Sequence, residues 1–143
     1  MQKNILSNYY FMKKKDIKFI QELKNTRPIV CVTSYSSSVS KILDKYIDIV
    51  LIGDSLGTVL YGMKNTRSVS MDMMKNHGRA VTKFSEKAFT VIDMPYNSYS
   101  NKKIAYKNAL ELLKYTKCQA VKLEVGYKDI NIVKYLTKNK IKV

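Results

Sequence analysis

The sequence predicts an α/β fold in which parallel strands alternate with helices. Short runs rich in β-branched residues, such as 27–35 and 48–54, alternate with segments whose apolar residues recur at helical spacing. Two architectures fit this alternation: an open doubly wound sheet, or part of a (β/α)₈ barrel. A complete barrel takes about 250 residues. The chain has 143 residues, and its last three resemble the start of a strand. We therefore expect about four βα units of a barrel, forming one domain over 1–143.

The individual elements follow from local patterns. Apolar Ile17, Phe19, Ile20 and Leu23 occur at helical spacing in 14–25, which predicts a helix before the first strand. Buried strands are predicted at 27–35, 48–54, 87–96 and 118–126, with a fifth beginning at 141–143. Helices are predicted at 36–47, 70–84, 100–116 and 127–139, and 57–70 is predicted to be a loop. The apolar residues sharing one helical face are Val39, Ile42, Leu43 and Tyr46 in the helix at 36–47, and Ile104, Ala105, Ala109, Leu112 and Leu113 in the helix at 100–116.

The composition favours a lysine-rich globular protein over a nucleic-acid binder. Lysine and arginine total 26 against 11 acidic residues, which gives a net charge of +15. Most of these lysines are scattered, whereas recognition of a nucleic acid needs a clustered patch. A non-catalytic basic binding module remains an alternative. No apolar run has the length of a membrane span, and the first residues do not form a secretory signal, so we expect a cytoplasmic protein. Cys31 and Cys118 lie in apolar surroundings and are expected to be buried free thiols.

Polar side chains end every predicted strand. The first strand ends in 33–35 and the second in Asp54 and Ser55, while the third ends in Asp93 and the fourth in Lys122 and Glu124. The carboxyl ends of parallel strands lie on one face of an α/β fold, so these side chains should converge there.

Oxygen ligands without a histidine or cysteine cluster favour Mg²⁺ over zinc, and a lysine beside them could meet a substrate carboxylate or oxyanion. Lys122 and Glu124 are two residues apart and should project to the same side. Each aspartate could instead be a turn former, and Lys122 could simply pair with Asp93 or Glu124. His77 falls in a predicted helix and is expected to be a surface or supporting residue, not a base.

Three ordered motifs resemble those of the ketopantoate hydroxymethyltransferase family. They are GDSLG at 53–57, D-x-P at 93–95 and V-K-x-E-x-G at 121–126, and the resemblance extends over about 15–143. It implies a (β/α)₈ barrel of the phosphoenolpyruvate/pyruvate type preceded by a helix, with this chain as its N-terminal half. It also implies transfer of a hydroxymethyl group from 5,10-methylenetetrahydrofolate to 3-methyl-2-oxobutanoate, giving ketopantoate for pantothenate and coenzyme A, by way of a Mg²⁺-stabilised enolate.

The resemblance also assigns residues. It implies that Asp54 and Asp93 bind Mg²⁺ with Glu124 in the same site, and that Ser55 and Lys122, with Asp54 and Asp93, hold the keto acid. The general base of the family is a glutamate expected beyond Val143. No catalytic residue is therefore assigned within this chain, which we expect to be inactive and aggregation-prone by itself.

A homo-oligomer, such as a decamer, is implied for the full-length enzyme. Ser36 stands where the family commonly has an acidic residue, so a polar contact there is in question. A Mg²⁺-dependent keto-acid lyase on a related barrel is the alternative enzyme.

Overall fold

A four-stranded parallel sheet forms the centre of the protein. The computed structural model describes residues 14–143. The strands are β1 (Cys31–Thr33), β2 (Ile49–Ile52), β3 (Phe89–Asp93) and β4 (Ala120–Lys122), paired in the order β1-β2-β3-β4. All three pairings are parallel. A doubly wound sheet would reverse its strand order at a switch point. The consecutive order is that of half a (β/α)₈ barrel, so the predicted barrel architecture is confirmed.

Six α-helices accompany the strands in the described part of the chain. They are α1 (Ile17–Glu22), α2 (Ser37–Leu43), α3 (Leu56–Tyr61), α4 (Met71–Thr82), α5 (Lys102–Thr116) and α6 (Ile130–Lys138). Several begin with a polar side chain that accepts a backbone N–H of the first turn, which satisfies a donor otherwise left free. Asp16 caps α1, Ser36 caps α2, Ser70 caps α4 and Asn101 caps α5. The helix before the first strand and the helix start at Ser70 are thus confirmed.

Two segments differ from the sequence prediction. The segment 57–70 is not simply a loop, because it contains most of α3 and a short 3₁₀ helix at Thr66–Ser68. Only Leu56 and Gly57 of α3 are buried, so its apolar periodicity is weak. Residues 141–143 do not form a strand, although the Val121 N–H donates to the Lys142 carbonyl oxygen at 3.0 Å. That bond places the chain beside β4, where a fifth strand was predicted.

The core is divided between the two faces of the sheet. On one face, Val50, Ile52, Ile92 and Val121 pack with Met74 and Val81 of α4 and with Ala105, Ala109 and Leu112 of α5. On the other face, Ile20 of α1 packs on Phe89 and Ala120, near the amino-terminal ends of β3 and β4. Alternate residues of one strand therefore serve different clusters, as strand geometry requires. The residues predicted to form the active site lie at the opposite end of the sheet, where the strands have their carboxyl ends.

The apolar face predicted for the helix at 36–47 is largely exposed, and one of the two thiols predicted to be buried is exposed. Val39, Ile42 and Tyr46 are 44%, 66% and 68% exposed, and the buried residue of α2 is Ser40, which bonds to Ser85 Oγ at 2.7 Å. Cys31 is exposed, whereas Cys118 is buried as predicted.

The side chains on one face of β1 are uncovered. Cys31 and Thr33 are two residues apart, so they project to this same face, and both are exposed. In α5, Ile104 is exposed and Leu113 is partly buried, whereas Ala105, Ala109 and Leu112 of the predicted face are buried. Within 14–143, no helix combines the length and the hydropathy that crossing a bilayer requires.

Candidate active site

The predicted site residues meet at the carboxyl ends of β2, β3 and β4. Asp93 and Lys122 are directly paired in the register of β3 and β4. The Lys122 ammonium lies 2.9 Å from Asp93 Oδ1 and 3.0 Å from Glu124 Oε1. The Asp54 N–H donates to Asp93 Oδ2 at 3.1 Å, which ties the end of β2 to the end of β3. The expectation that Lys122 and Glu124 project to the same side is confirmed.

Burial differs sharply among the charged groups. The side chain of Asp93 is 6% exposed, that of Lys122 is 38% exposed and that of Glu124 is 72% exposed. Although Asp93 Oδ1 is close to the lysine, the contact lies outside hydrogen-bond geometry and no other group donates to this buried oxygen. Asp93 Oδ1 thus retains a lone pair available to a cation or an incoming donor.

The surroundings of Asp54 disfavour the charged form of its carboxylate. Burial raises its pKa, and the negative charges of Asp93 and Glu124 raise it further, while Lys122 and a hydrogen bond from Thr66 act in the opposite direction. For Lys122, burial favours the neutral amine, but the adjacent carboxylates of Asp93 and Glu124 outweigh it and raise the pKa of its ammonium group. The lysine is therefore held in its charged form beside an excess of carboxylates.

Ser55 completes this corner with a hydroxyl group. It occupies the N-cap position of α3 but makes no side-chain capping bond. Its Oγ lies 2.8 Å from the Tyr35 hydroxyl, which follows β1. A Cβ atom on Gly53 would lie 2.8 Å from Ser55 Oγ, closer than real Cβ contacts allow. The first glycine of the GDSLG motif therefore leaves space for the hydroxyl.

An open cavity of about 500 Å³ adjoins these groups. Asp54 and Glu124 line it, together with residues that the sequence did not single out: Thr66, Arg67, Tyr96, Asn97, Tyr99, Ser100, Asp129 and Ile132. The Arg67 guanidinium carbon lies 5.4 Å from the centroid of the Tyr96 ring. Most of these residues lie in connections between regular elements, where periodicity gives no signal. Tyr96 directly follows the D-x-P motif and could have been suspected from that position alone.

The carboxylates fit a magnesium site built on two ligands. In residues 14–143, no three His, Cys, Asp or Glu side chains are arranged to hold a metal ion. Mg²⁺ commonly takes only one or two carboxylates and keeps several waters. Asp54 and Asp93 suit this mode, since Asp93 Oδ1 has no hydrogen-bond donor and a cation would relieve the repulsion at Asp54. Glu124 as a third ligand stays a prediction, since its carboxylate contacts Lys122.

Comparisons with known proteins agree with these motifs. The family model described as ketopantoate hydroxymethyltransferase matches residues 14–143. A 3-methyl-2-oxobutanoate hydroxymethyltransferase of Pelagibacter ubique is 46% identical over 132 residues, covering 92% of this chain and 51% of that protein. The protein of the same name from Rhizobium etli is 46% identical over 125 residues, covering 87% of this chain and 46% of that protein. The chain thus spans about half the length of the curated relatives it matches.

Solved structures support the barrel assignment. A crystal structure of 2,3-dimethylmalate lyase, a member of the PEP mutase/isocitrate lyase superfamily, aligns with a TM-score of 0.61 at 11% identity. The alignment covers 92% of this chain and 51% of that one. At this identity the likeness concerns the fold alone.

Proposed function

Because the chain belongs to the ketopantoate hydroxymethyltransferase family, we propose that it forms the keto-acid and Mg²⁺ corner of that enzyme. The reaction transfers a hydroxymethyl group from 5,10-methylenetetrahydrofolate to 3-methyl-2-oxobutanoate, giving ketopantoate for pantothenate synthesis. The observation that carries the proposal is the meeting of Asp54, Asp93 and Lys122 at three adjacent strand ends. The active enzyme is proposed to be a cytoplasmic homo-oligomer whose chains have the full length of the curated relatives.

Ser55 and Lys122 are proposed to bind the anionic end of the keto acid. The Ser55 hydroxyl is not used for capping and can donate to a carboxylate oxygen. The Lys122 ammonium is positioned by Asp93 and Glu124 and can place its positive charge against an oxygen of the ligand. Both groups are fixed before the ligand arrives, which lowers the entropic cost of binding.

Asp54 and Asp93 are proposed to hold Mg²⁺, with Glu124 beside them. When bound, Mg²⁺ would draw electron density from the keto group and so acidify the neighbouring C–H bond. Loss of that proton leaves negative charge on the keto oxygen, and a positive charge held nearby by Lys122 stabilises it. The resulting carbon nucleophile forms a C–C bond with the one-carbon unit, while both bonds from that unit to the folate nitrogens break. One water supplies the hydroxyl oxygen, and the two folate nitrogens each gain a hydrogen, which gives ketopantoate and tetrahydrofolate.

No residue of this chain is proposed as the proton acceptor. Asp93 and Glu124 are engaged with Lys122, and Asp54 is proposed as a metal ligand. We therefore propose that the 143-residue chain alone does not form ketopantoate. An assay of folate-dependent ketopantoate formation by the purified chain tests this, and sustained turnover would overturn it.

Ligand binding tests the proposed site directly. Calorimetric titration of the purified chain with 3-methyl-2-oxobutanoate should show binding in the presence of Mg²⁺ and none after chelation. Asp54→Asn and Asp93→Asn should each abolish the Mg²⁺ dependence. Asp72→Asn is the matched control, because this carboxylate is 82% exposed and pairs with Lys75 on α4. The proposal fails if the wild-type chain does not bind the keto acid, or if binding is indifferent to Mg²⁺ and to Asp54.

A further inference from the structure

His77 connects α4 to the loop that follows β1. It is the only histidine of the chain, and it is half-buried on α4, outside the group of carboxylates. Its Nδ1 atom lies 2.7 Å from the backbone carbonyl oxygen of Tyr35. Its Nε2 atom lies 2.9 Å from the Tyr61 hydroxyl at the end of α3. One imidazole ring therefore joins α4, α3 and the end of β1.

The two contacts determine which nitrogen of the neutral imidazole ring carries the hydrogen. A carbonyl oxygen can only accept a hydrogen bond, so Nδ1 carries the hydrogen and donates it to Tyr35. Nε2 is then an acceptor, and the Tyr61 hydroxyl donates to it. The Tyr61 and His77 rings also meet edge to face, at 5.8 Å between centroids and an interplanar angle of 87°. Both ring nitrogens are thus satisfied in a single tautomer.

Tyr35 extends this connection to the proposed ligand site. Its backbone carbonyl is held by His77, while its side-chain hydroxyl lies 2.8 Å from Ser55 Oγ. Among the described residues, Tyr35 is the one hydrogen-bond partner of that Ser55 hydroxyl. The position of Tyr35 therefore fixes the orientation of the Ser55 hydroxyl and the direction in which it can bond to a ligand.

We propose that His77 is a positioning residue for the keto acid, acting through Tyr35 on the Ser55 hydroxyl. The identity of the ligand rests on the proposed function. A hydroxyl rotates freely unless a partner fixes it, and a fixed donor binds a carboxylate without first losing that freedom. His77 holds the Tyr35 backbone, the Tyr35 phenol holds Ser55, and Ser55 meets the ligand.

The substitutions at His77 separate this role from a purely structural one. The amide nitrogen of His77→Asn can replace Nδ1 as donor to the Tyr35 carbonyl, whereas His77→Leu fills similar space without a donor. Tyr35→Phe removes only the hydroxyl that reaches Ser55. Tyr61→Phe is the control, because it removes the bond to Nε2 and leaves the bond from Nδ1 to Tyr35 intact.

Binding of 3-methyl-2-oxobutanoate with Mg²⁺ is the first measurement. His77→Leu and Tyr35→Phe should each weaken binding by about fivefold, the usual effect of losing one hydrogen bond. His77→Asn and Tyr61→Phe should bind the keto acid with a Kd within about twofold of the wild-type value, a change of less than about half a kcal/mol in binding free energy. Equal affinity of His77→Leu and wild type overturns the proposal. So does a failure of His77→Asn to restore binding in a protein with native circular dichroism.

A second measurement does not depend on the ligand. In the free protein, the ¹³Cβ resonance of Ser55 should move in the same direction in His77→Leu and Tyr35→Phe and stay in place in His77→Asn. An unchanged Ser55 resonance in both of the first two variants overturns the positioning role. If the wild-type chain does not bind the keto acid, the proposed function falls, and this spectrum alone decides whether His77 positions Ser55.

Discussion

Replacing Lys122 by methionine should destabilise the protein through the carboxylate it leaves behind. The lysine is the cation that contacts both Asp93 and Glu124. Methionine keeps most of the length of the side chain and removes the charge. The Glu124 side chain is 72% exposed and can be hydrated, so its loss of a partner costs little. The Asp93 side chain is 6% exposed and cannot be hydrated in the same way.

The expected cost lies between that of a buried and an exposed pair. Removing one partner of a fully buried pair costs about 3–5 kcal/mol, and an exposed pair contributes about 0–1 kcal/mol. Because Lys122 is 38% exposed and water reaches this side of the pair, we expect a loss of about 2 kcal/mol in the free energy of unfolding. For a chain of 143 residues that corresponds to a fall in Tm of about 6 °C.

Urea unfolding followed by circular dichroism measures this loss. Lys18→Met is the matched control, because the Lys18–Glu22 pair spans 3.8 Å and both side chains are more than half exposed. The control should unfold within about 0.5 kcal/mol of the wild type. Added Mg²⁺ should stabilise Lys122→Met more than the wild type, since the cation would replace a missing positive charge. A Lys122→Met protein as stable as the control would refute the assignment of Asp93 as a buried charge that needs a cation.

Three further predictions concern single substitutions. Hydrogen bonds from Arg27 at 2.7 and 2.8 Å hold the pKa of Asp48 well below its ordinary value, despite burial. The resulting stability is present above the unfolded pKa of about 4 and is lost as the pH falls towards the folded pKa. Asp48→Asn should therefore lower the free energy of unfolding by about 2 kcal/mol at pH 7 and by less in acid. Urea titrations at several pH values measure this difference. Burial raises the pKa of Asp54 in the folded protein, so the free energy of unfolding decreases as the pH rises from the unfolded pKa towards this raised folded pKa. Asp54→Asn should therefore increase the free energy of unfolding at pH 7 while removing Mg²⁺-dependent ligand binding, and a destabilised variant in urea unfolding would contradict the sign. In Gly78→Ala the new Cβ would lie 2.6 Å from Ile92 Cδ1. Alanine is the better helix former by about 1 kcal/mol, but the overpacking outweighs this gain. The net loss in the free energy of unfolding should be about 2 kcal/mol, seen as a lower urea midpoint.

The elements most faithfully predicted are those with long, strongly periodic patterns. α5 has fifteen residues, a capping Asn101 and buried Ala105, Ala109 and Leu112 at the expected spacing. By contrast, α3 has six residues and buries only Leu56 and Gly57, so its pattern could not be distinguished from that of a loop. Short helices depend on their packing more than on their own sequence.

The candidate site was predictable in outline for a topological reason. Parallel strands place their carboxyl ends on one face, so polar residues such as Asp54 and Asp93 had to lie near one another once the alternation of strands and helices was recognised. The cavity-lining pair of Arg67 and Tyr96 was not predictable in this way, because its members come from two different connections whose paths depend on packing.

The sequence by itself determined the alternation of the four strands with helices and the residues at each strand end. Periodicity and capping are local properties, and they are readable wherever a segment packs in the usual way. Only the tertiary structure decided which partners these residues take. The pairing of Asp93 with Lys122 depends on the register of β3 against β4, and the exposure of Cys31 depends on which face of β1 the other elements cover. Likewise, His77 reaches Tyr35 because α4 packs beside the end of β1. Such contacts join residues far apart in the chain, and their distances follow from packing, which no local pattern encodes.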